Sequence, residues 1–191
     1  THIDKLPYTP SFSDLADQMS FTIINKDGDD GTWRYNSNGY VEYRYSRYNA
    51  ADDWLITPAI KLEEGEAYRF AVDTWASYDP ERMEVKMGKD KTIEAMTKEV
   101  IPSTDITWKS NDVHTLENKV ITVDETGYYH FGLHAISDPY MYILHIENLI
   151  VEISADLNAP DSVTNLTVVP TVNKTEATIN FNAPATTMNG A

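Results

Sequence analysis

Apolar and polar residues alternate with a period of two through most of this chain, the mark of strands that bury one face. Tyr35, then Val41, Tyr43 and Tyr45 fall on one side against Glu42, Arg44 and Ser46, with Asn36-Ser-Asn-Gly39 as the intervening turn. Tyr68, Phe70 and Val72 share a face, as do Met83, Val85 and Met87 opposite Glu84 and Lys86. Tyr129, Phe131 and Leu133 alternate with His130, Gly132 and His134. Shorter apolar runs at 21–24, 100–101, 114–116 and 119–123, and a long one at 140–153, add further strands. The run 54–62 reads as a mostly buried strand in which Pro58, lacking an N–H, demands an edge or a bulge.

Helical signals are few. Residues 11–20 read as a short helical turn capped by Ser13 or Asp14, with Leu15 and Met19 one turn apart and facing inward. Residues 92–97 form the one interior helix the pattern predicts, with Asp90 as its cap. Roughly ten to twelve short strands separated by turns every 8–12 residues predict an all-β sandwich, and among such folds a jelly roll. Parallel α/β architectures are excluded, because the crossover helices they need are absent.

The texture changes after Ile153. Residues 154–160 read as a linker, and 163–170 and 176–181 as two strands rich in Thr, Asn and Val. Two strands cannot enclose a core, so the expected organisation is one domain over 1–155 and a partial second module over 156–191 that continues beyond the sequence.

Composition narrows the function classes. The 191 residues carry 30 acidic against 15 basic side chains, a formal charge of −15. Nucleic acids and anionic membranes are held by clustered Lys and Arg, so both are poor partners for this chain. Without cysteine there are no disulfides, zinc thiolates or thiol nucleophiles. There is no apolar run of membrane-spanning length, and residues 1–5 do not read as a signal peptide. The expectation is a monomer without membrane insertion.

Candidate chemistry centres on the acidic glycine loop 25–33, Asn-Lys-Asp-Gly-Asp-Asp-Gly-Thr-Trp. Asn25, Asp27 and Asp29 stand at alternate positions, so their side-chain oxygens can converge on a hard cation such as Ca²⁺ while Gly28 and Gly31 let the backbone bend. The same composition also serves any tight hairpin turn. The loop opens like an EF-hand, but Asn replaces the first Asp, Asp30 replaces the Gly, and the distal Glu is missing. Asp73 with Glu84 can be drawn as a glycosidase pair, and His130 with His134 as a zinc pair; solvated strand faces explain both more simply. No serine elbow, phosphate loop or dinucleotide fingerprint occurs, and a non-catalytic domain is expected. Twelve tyrosines and four tryptophans supply rings for stacking on sugars. Tyr40, Tyr48, Trp75 and Tyr78 fall at strand ends or loops and are the expected exposed rings, whereas Trp33 and Trp54 keep apolar company and belong in a core.

Taken together, Leu6-Pro-Tyr-Thr9, the loop 25–33, Asp52-Asp-Trp-Leu-Ile-Thr-Pro-Ala-Ile60, Pro80-Glu-Arg-Met-Glu-Val-Lys-Met-Gly88 and Gly127-Tyr-Tyr-His-Phe-Gly-Leu-His134 resemble the cleaved-adhesin family. These are the jelly-roll modules, galactose-binding and lectin-like in fold and related to the choice-of-anchor J group, of gingipain-type proteases and other Bacteroidetes surface proteins. Residues 159–184 resemble the opening strands of a fibronectin type III domain. The resemblance implies a module that is extracellular or on the bacterial cell surface, with a lipid anchor through a removed N-terminus as one way of holding it there. Its implied work is cell adhesion through host protein or glycan, with a structural calcium ion. On that pattern Asn25, Asp27 and Asp29 are the calcium ligands, Glu147 of the final strand completes the shell, and Asp53 is a further ligand. Alternatives are a carbohydrate-binding module of a secreted hydrolase, and a structural spacer.

Overall fold

Nearly every regular element is a strand, because the period-two segments find partners while the helical signals are too short to stand alone. The computed structural model describes residues 1–154, 164–170 and 177–182. In chain order the strands are β1 (His2–Ile3), β2 (Thr22–Asn25), β3 (Thr32–Tyr35), β4 (Val41–Arg44), β5 (Asp53–Ile56), β6 (Ala59–Leu62) and β7 (Tyr68–Ala76). They continue as β8 (Glu81–Gly88), β9 (Lys98–Ile106), β10 (His114–Ile121), β11 (Gly127–Ala135), β12 (Ile143–Ile153), β13 (Thr164–Pro170) and β14 (Ala177–Asn182). One short helix, α1 (Leu15–Ser20), precedes β2.

The strands form two facing sheets. The seven-stranded sheet is built around β11, which pairs with β5 and β6 on one edge and with β8, then β9, on the other. The five-stranded sheet has the order β10-β7-β12-β4-β3. Trp33, Tyr43, Leu55, Ile60, Leu62, Phe70, Met83 and Phe131 are fully buried between them, each stabilising the sandwich by roughly 1.5–3 kcal/mol. Phe70 from one sheet stacks on Phe131 from the other, ring centroids 5.1 Å apart. The alternation read from the sequence places these rings correctly, as it does Met83, Val85 and Met87.

Four expectations change. The run 54–62 is two strands, β5 and β6, broken at Thr57-Pro58, where the Thr57 N–H donates to the Phe131 carbonyl and its hydroxyl accepts from the Phe131 N–H. That exchange carries the pairing across the proline. Asp14 caps α1, its carboxylate accepting from the Ala16 and Asp17 N–H groups at 2.8 and 3.1 Å. Leu15 and Met19, however, face solvent, 68% and 78% exposed, because the helix is docked by Phe12 and Ser20 instead. The interior helix shrinks to a single 3-10 turn, Ile93–Ala95, without a side-chain cap. Finally, Tyr45 leaves the core face, since β4 ends at Arg44.

Outside the sandwich, β13 and β14 pair antiparallel near the ends predicted for them, with Leu166, Val168, Ile179 and Phe181 exposed. Most of the predicted linker, the boundary at 155 and the rest of the second module lie outside the described residues.

The outer face of the seven-stranded sheet is covered. Segment 93–96 lays Ile93 and Met96 over Trp54, Ile56 and Ile24. Two glycines permit that approach: a Cβ on Gly88 would lie 2.0 Å from the Ala95 carbonyl oxygen, and one on Gly132 2.9 Å from the Trp54 ring. Gly88→Ala is expected to cost about 1–3 kcal/mol by forcing this segment off the sheet, seen as a lowered melting temperature. Gly127→Ala, whose Cβ would meet only the Tyr129 ring at 3.7 Å, is the matched control and should change little.

Candidate functional site

Among the described residues no such segment lies over the outer face of the five-stranded sheet. Residues pointing outward alternate with the core set: Glu42 and Arg44 on β4, His145 and Glu147 on β12, Asp73 and Trp75 on β7. Register places Glu42 opposite His145, and His145 opposite Trp75. The Trp75 indole stacks on the His145 ring at 3.4 Å and 11°, and Tyr40 closes on both edge-on at 5.7 and 5.1 Å. Trp75 stays half-exposed beside polar groups. Ser77 Oγ is 2.8 Å from His145 Nε2, Arg44 is paired with Glu42 at 2.6 Å, and Asp73 accepts from Asn148 Nδ2 at 2.9 Å and from the Thr115 hydroxyl.

Two clefts flank this strip. One, about 450 Å³, is bordered by Thr9, Ser11, Gly39 and Asn148. The other, about 410 Å³, is lined by Asp30, Arg34, Arg44, Tyr45, Arg47 and Tyr142. Tyr142 stacks on Tyr45 at 5.5 Å, with Tyr78 and Tyr140 packed edge-on at 4.7 and 5.7 Å. Of the rings expected to be exposed, Tyr40 and Trp75 therefore meet in the strip, Tyr78 joins the tyrosine cluster at its end, and Tyr48 stands alone, 86% exposed. Trp33 and Trp54 are buried as expected. Sequence reasoning missed His145 as the partner of Trp75, and missed the arginine cleft altogether.

The acidic loop is closed largely by its own side chains. The Asn25 amide donates to the Asp29 and Gly31 carbonyls and its oxygen accepts the Gly28 N–H at 2.6 Å, while Asp29 Oδ1 accepts the Gly31 N–H at 2.7 Å. Gly28 has φ +70°, which the turn requires. Asp53 lies opposite Asn25 in the β2–β5 pairing and is fully buried, with neither carboxylate oxygen hydrogen-bonded. Burial pushes its pKa up to about 7; the charges of Asp27 and Asp29 add to this and the nearby Thr32 hydroxyl opposes it. The Thr32 hydroxyl is itself buried without a partner.

Glu147 does not meet this loop. Thr32, where the loop enters β3, pairs with Arg44, which pairs with Ile143. Glu147 lies four residues farther along β12, about 13 Å of strand away. Its neighbour in register is Asp73. Among the described residues no three His, Asp or Glu side chains are grouped as a preformed metal shell.

The other pairs drawn from sequence also separate. Asp73 and Glu84 point outward from opposite sheets, with the whole sandwich between them. His130 and His134 are about 13 Å apart along β11, and each is occupied. His130 Nδ1 contacts the Thr57 carbonyl at 2.7 Å, whereas His134 sits between Glu84 and Asp52 at 2.9 Å each and stacks on Trp54 at 3.9 Å.

His145 is the pH-sensitive member of the strip. Burial drives its pKa down to about 4, against an opposing pull from Glu42. The folded value lies below the ordinary 6.5, so this stabilisation is intact above pH 6.5 and is lost as pH falls towards 4. Between pH 7 and pH 5 the native protein should lose about 2 kcal/mol more stability than His145→Gln, measured by denaturant unfolding. Equal losses would contradict a neutral buried imidazole.

The sequence matches no family profile and no curated protein. Solved structures do match. The K1 cleaved adhesin domain of Lys-gingipain from Porphyromonas gingivalis W83 superposes with a TM-score of 0.58 at 17% identity, covering 78% of this chain and 98% of that domain. The K3 cleaved adhesin domain of the same protein gives 0.58 at 11% identity over 76% and 98%. The C-terminal family 22 carbohydrate-binding module of Clostridium thermocellum Xyn10B gives 0.51 at 12% identity over 77% and 92%. At these identities the likeness is one of fold: the chain is a jelly-roll β-sandwich structurally similar to cleaved adhesin domains.

Proposed function

We propose that this chain is a non-enzymatic, extracellular binding module that captures glycan along the outer face of its five-stranded sheet. The observation that carries the reading is the partly exposed Trp75 indole, fixed by stacking on His145 and by the Tyr40 edge, on a sheet face that no other segment covers among the described residues. An aromatic face offers a flat apolar surface to the C–H side of a sugar ring, and nearby polar groups fix its orientation. Asp73 and Asn148, hydrogen-bonded to each other, and Ser77 beside His145 are the polar groups on this face suited to that role. The clefts at the two ends give room for neighbouring units of a chain. Names of structurally similar proteins, adhesin and carbohydrate-binding module, lend the reading support, and a role at the bacterial surface in adhesion to host glycan or glycoprotein follows from it. The hairpin β13–β14 fits the start of a fibronectin-like neighbour.

Binding to a panel of plant and host polysaccharides is expected to be saturable and to fall about tenfold or more with Trp75→Ala, the scale of one lost stacking ring. Trp108→Phe, whose indole N–H is spent on the Thr74 carbonyl, should leave affinity unchanged. Affinity indifferent to Trp75 would contradict the site.

A structural Ca²⁺ ion is the second part of the proposal. A buried carboxylate without partners is costly, and a cation that takes oxygen ligands relieves it. Asp53 and the Thr32 hydroxyl, with Asp27, Asp29 and backbone carbonyls of the loop, are chemically suited donors; Asn25 shapes the loop, and Glu147 is too far along β12 to take part. Saturating Ca²⁺ should raise the melting temperature of chelator-treated protein, and Asp53→Asn should abolish the rise. A melting curve indifferent to Ca²⁺ in metal-free protein would remove the ion from the account.

A further inference from the structure

The arginine cleft points to what kind of glycan the strip takes. The chain has five arginines, and three of them, Arg34, Arg44 and Arg47, line this one cleft on a protein whose net charge is −15. Their states differ. Arg44 is neutralised by Glu42, through contacts of 2.6 and 2.7 Å. Arg34 makes one hydrogen bond, to the Asp30 backbone carbonyl at 3.2 Å. Arg47 is exposed and has neither a hydrogen-bond nor an ion-pair partner among the described residues. Neither the Arg34 nor the Arg47 guanidinium is thus paired with a carboxylate among the described residues, in a cleft where Asp30 is the one acidic lining group.

We propose that this cleft binds the acidic substituent of a saccharide, a uronate carboxylate or a sulfate ester. The planar guanidinium fork matches both groups in two-point geometry. The stacked Tyr45 and Tyr142 supply the ring surface that an attached sugar needs, and about 410 Å³ accommodates a small-molecule-sized unit. Nucleic acid fits poorly, because two arginines without carboxylate partners cannot neutralise a run of phosphates against the surrounding negative charge. The cleft joins the Trp75 strip through Arg44, whose partner Glu42 lies 3.9 Å from His145. The proposal therefore rests on the glycan reading and deepens it: one chain lies along the strip and places a charged unit among the arginines. The field of an acidic protein would repel such ligands elsewhere, which restricts their capture to this place.

The test uses matched polymers. Homogalacturonan is compared with its methyl-esterified form, and dextran sulfate with dextran, by isothermal titration against the native protein, Arg34→Gln/Arg47→Gln, Trp75→Ala and the control Arg82→Gln. Arg82 pairs with Asp105 on the seven-stranded sheet. Binding at least about tenfold tighter to the acidic member of one pair is expected, as for hydrogen bonds to charged groups. That preference should collapse in the double arginine variant, persist in Arg82→Gln and weaken with salt; which pair responds identifies carboxylate or sulfate. Thermal melting verifies that each variant is folded. Equal affinity for charged and neutral members, a preference that survives loss of Arg34 and Arg47, or no binding to either acidic polymer would each overturn the proposal. An acidic preference that needs the arginines but ignores Trp75→Ala would sustain the cleft and contradict the strip. Equal affinities that both depend on Trp75 would do the reverse.

Discussion

The sandwich treats its two outer faces differently, and where a ligand can settle depends on that asymmetry. A single 3-10 turn between β8 and β9 places Met96 and Ile93 on Trp54, Ile56 and Ile24, sealing the middle of the seven-stranded sheet. Close packing there needs Gly88 and Gly132, where a side chain would collide with backbone or indole. His134, held between Asp52 and Glu84 and stacked on Trp54, finishes the seal. Among the described residues the five-stranded sheet has no equivalent segment; its outward residues are polar or aromatic, with Glu42 and His145 buried by their own neighbours and Arg44, Asp73 and Trp75 left within reach of a partner. An exposed face of this kind needs alternating strands that tolerate water on one side, which antiparallel sheets provide.

Near the loop end of the sandwich, packing and charge meet at Asp53. Its backbone carbonyl accepts the Trp33 indole N–H at 3.0 Å, tying β5 of one sheet to β3 of the other. Its carboxylate is left buried among Asp27, Asp29 and Thr32 without a hydrogen bond. The backbone of this residue thus serves the core while burial of its side chain favours the protonated carboxyl. Lys26, bridging to Asp52 at 2.6 Å, balances part of the local negative charge from outside.

Much of the fold was legible because strand faces announce themselves at a spacing of two residues. Val41 and Tyr43, Phe70 and Val72, Met83 to Met87 and Phe131 all took the side their pattern assigned. Failures arose where a short element decided orientation. Leu15 and Met19 obey helical spacing, yet a six-residue helix is placed by Phe12 and its cap rather than by its own apolar pair. Site residues were harder. Trp75 and Tyr40 could be suspected as rings, but nothing local pairs them with His145, which arrives from a strand some seventy residues later in the chain and becomes a neighbour through register alone. The arginine cleft gathers residue 34 from β3, 44 from β4, 47 from the segment after it and Tyr142 from the approach to β12, a grouping without a sequence signature. Glu147 was misplaced for the same reason: strand identity could be read, but position along the paired strand could not.

Glycan capture on this sheet requires the ligand to lie across β4, β12 and β7 on their outward side. Mapping of backbone amide shifts in ¹⁵N-labelled protein titrated with an acidic oligosaccharide addresses it most directly. Perturbations are expected at residues 40–47, 73–78 and 142–148, with the indole resonance of Trp75 moving and that of Trp54 silent. Perturbations confined to β8, β9 and the 89–97 segment, or an unmoved Trp75, would contradict it.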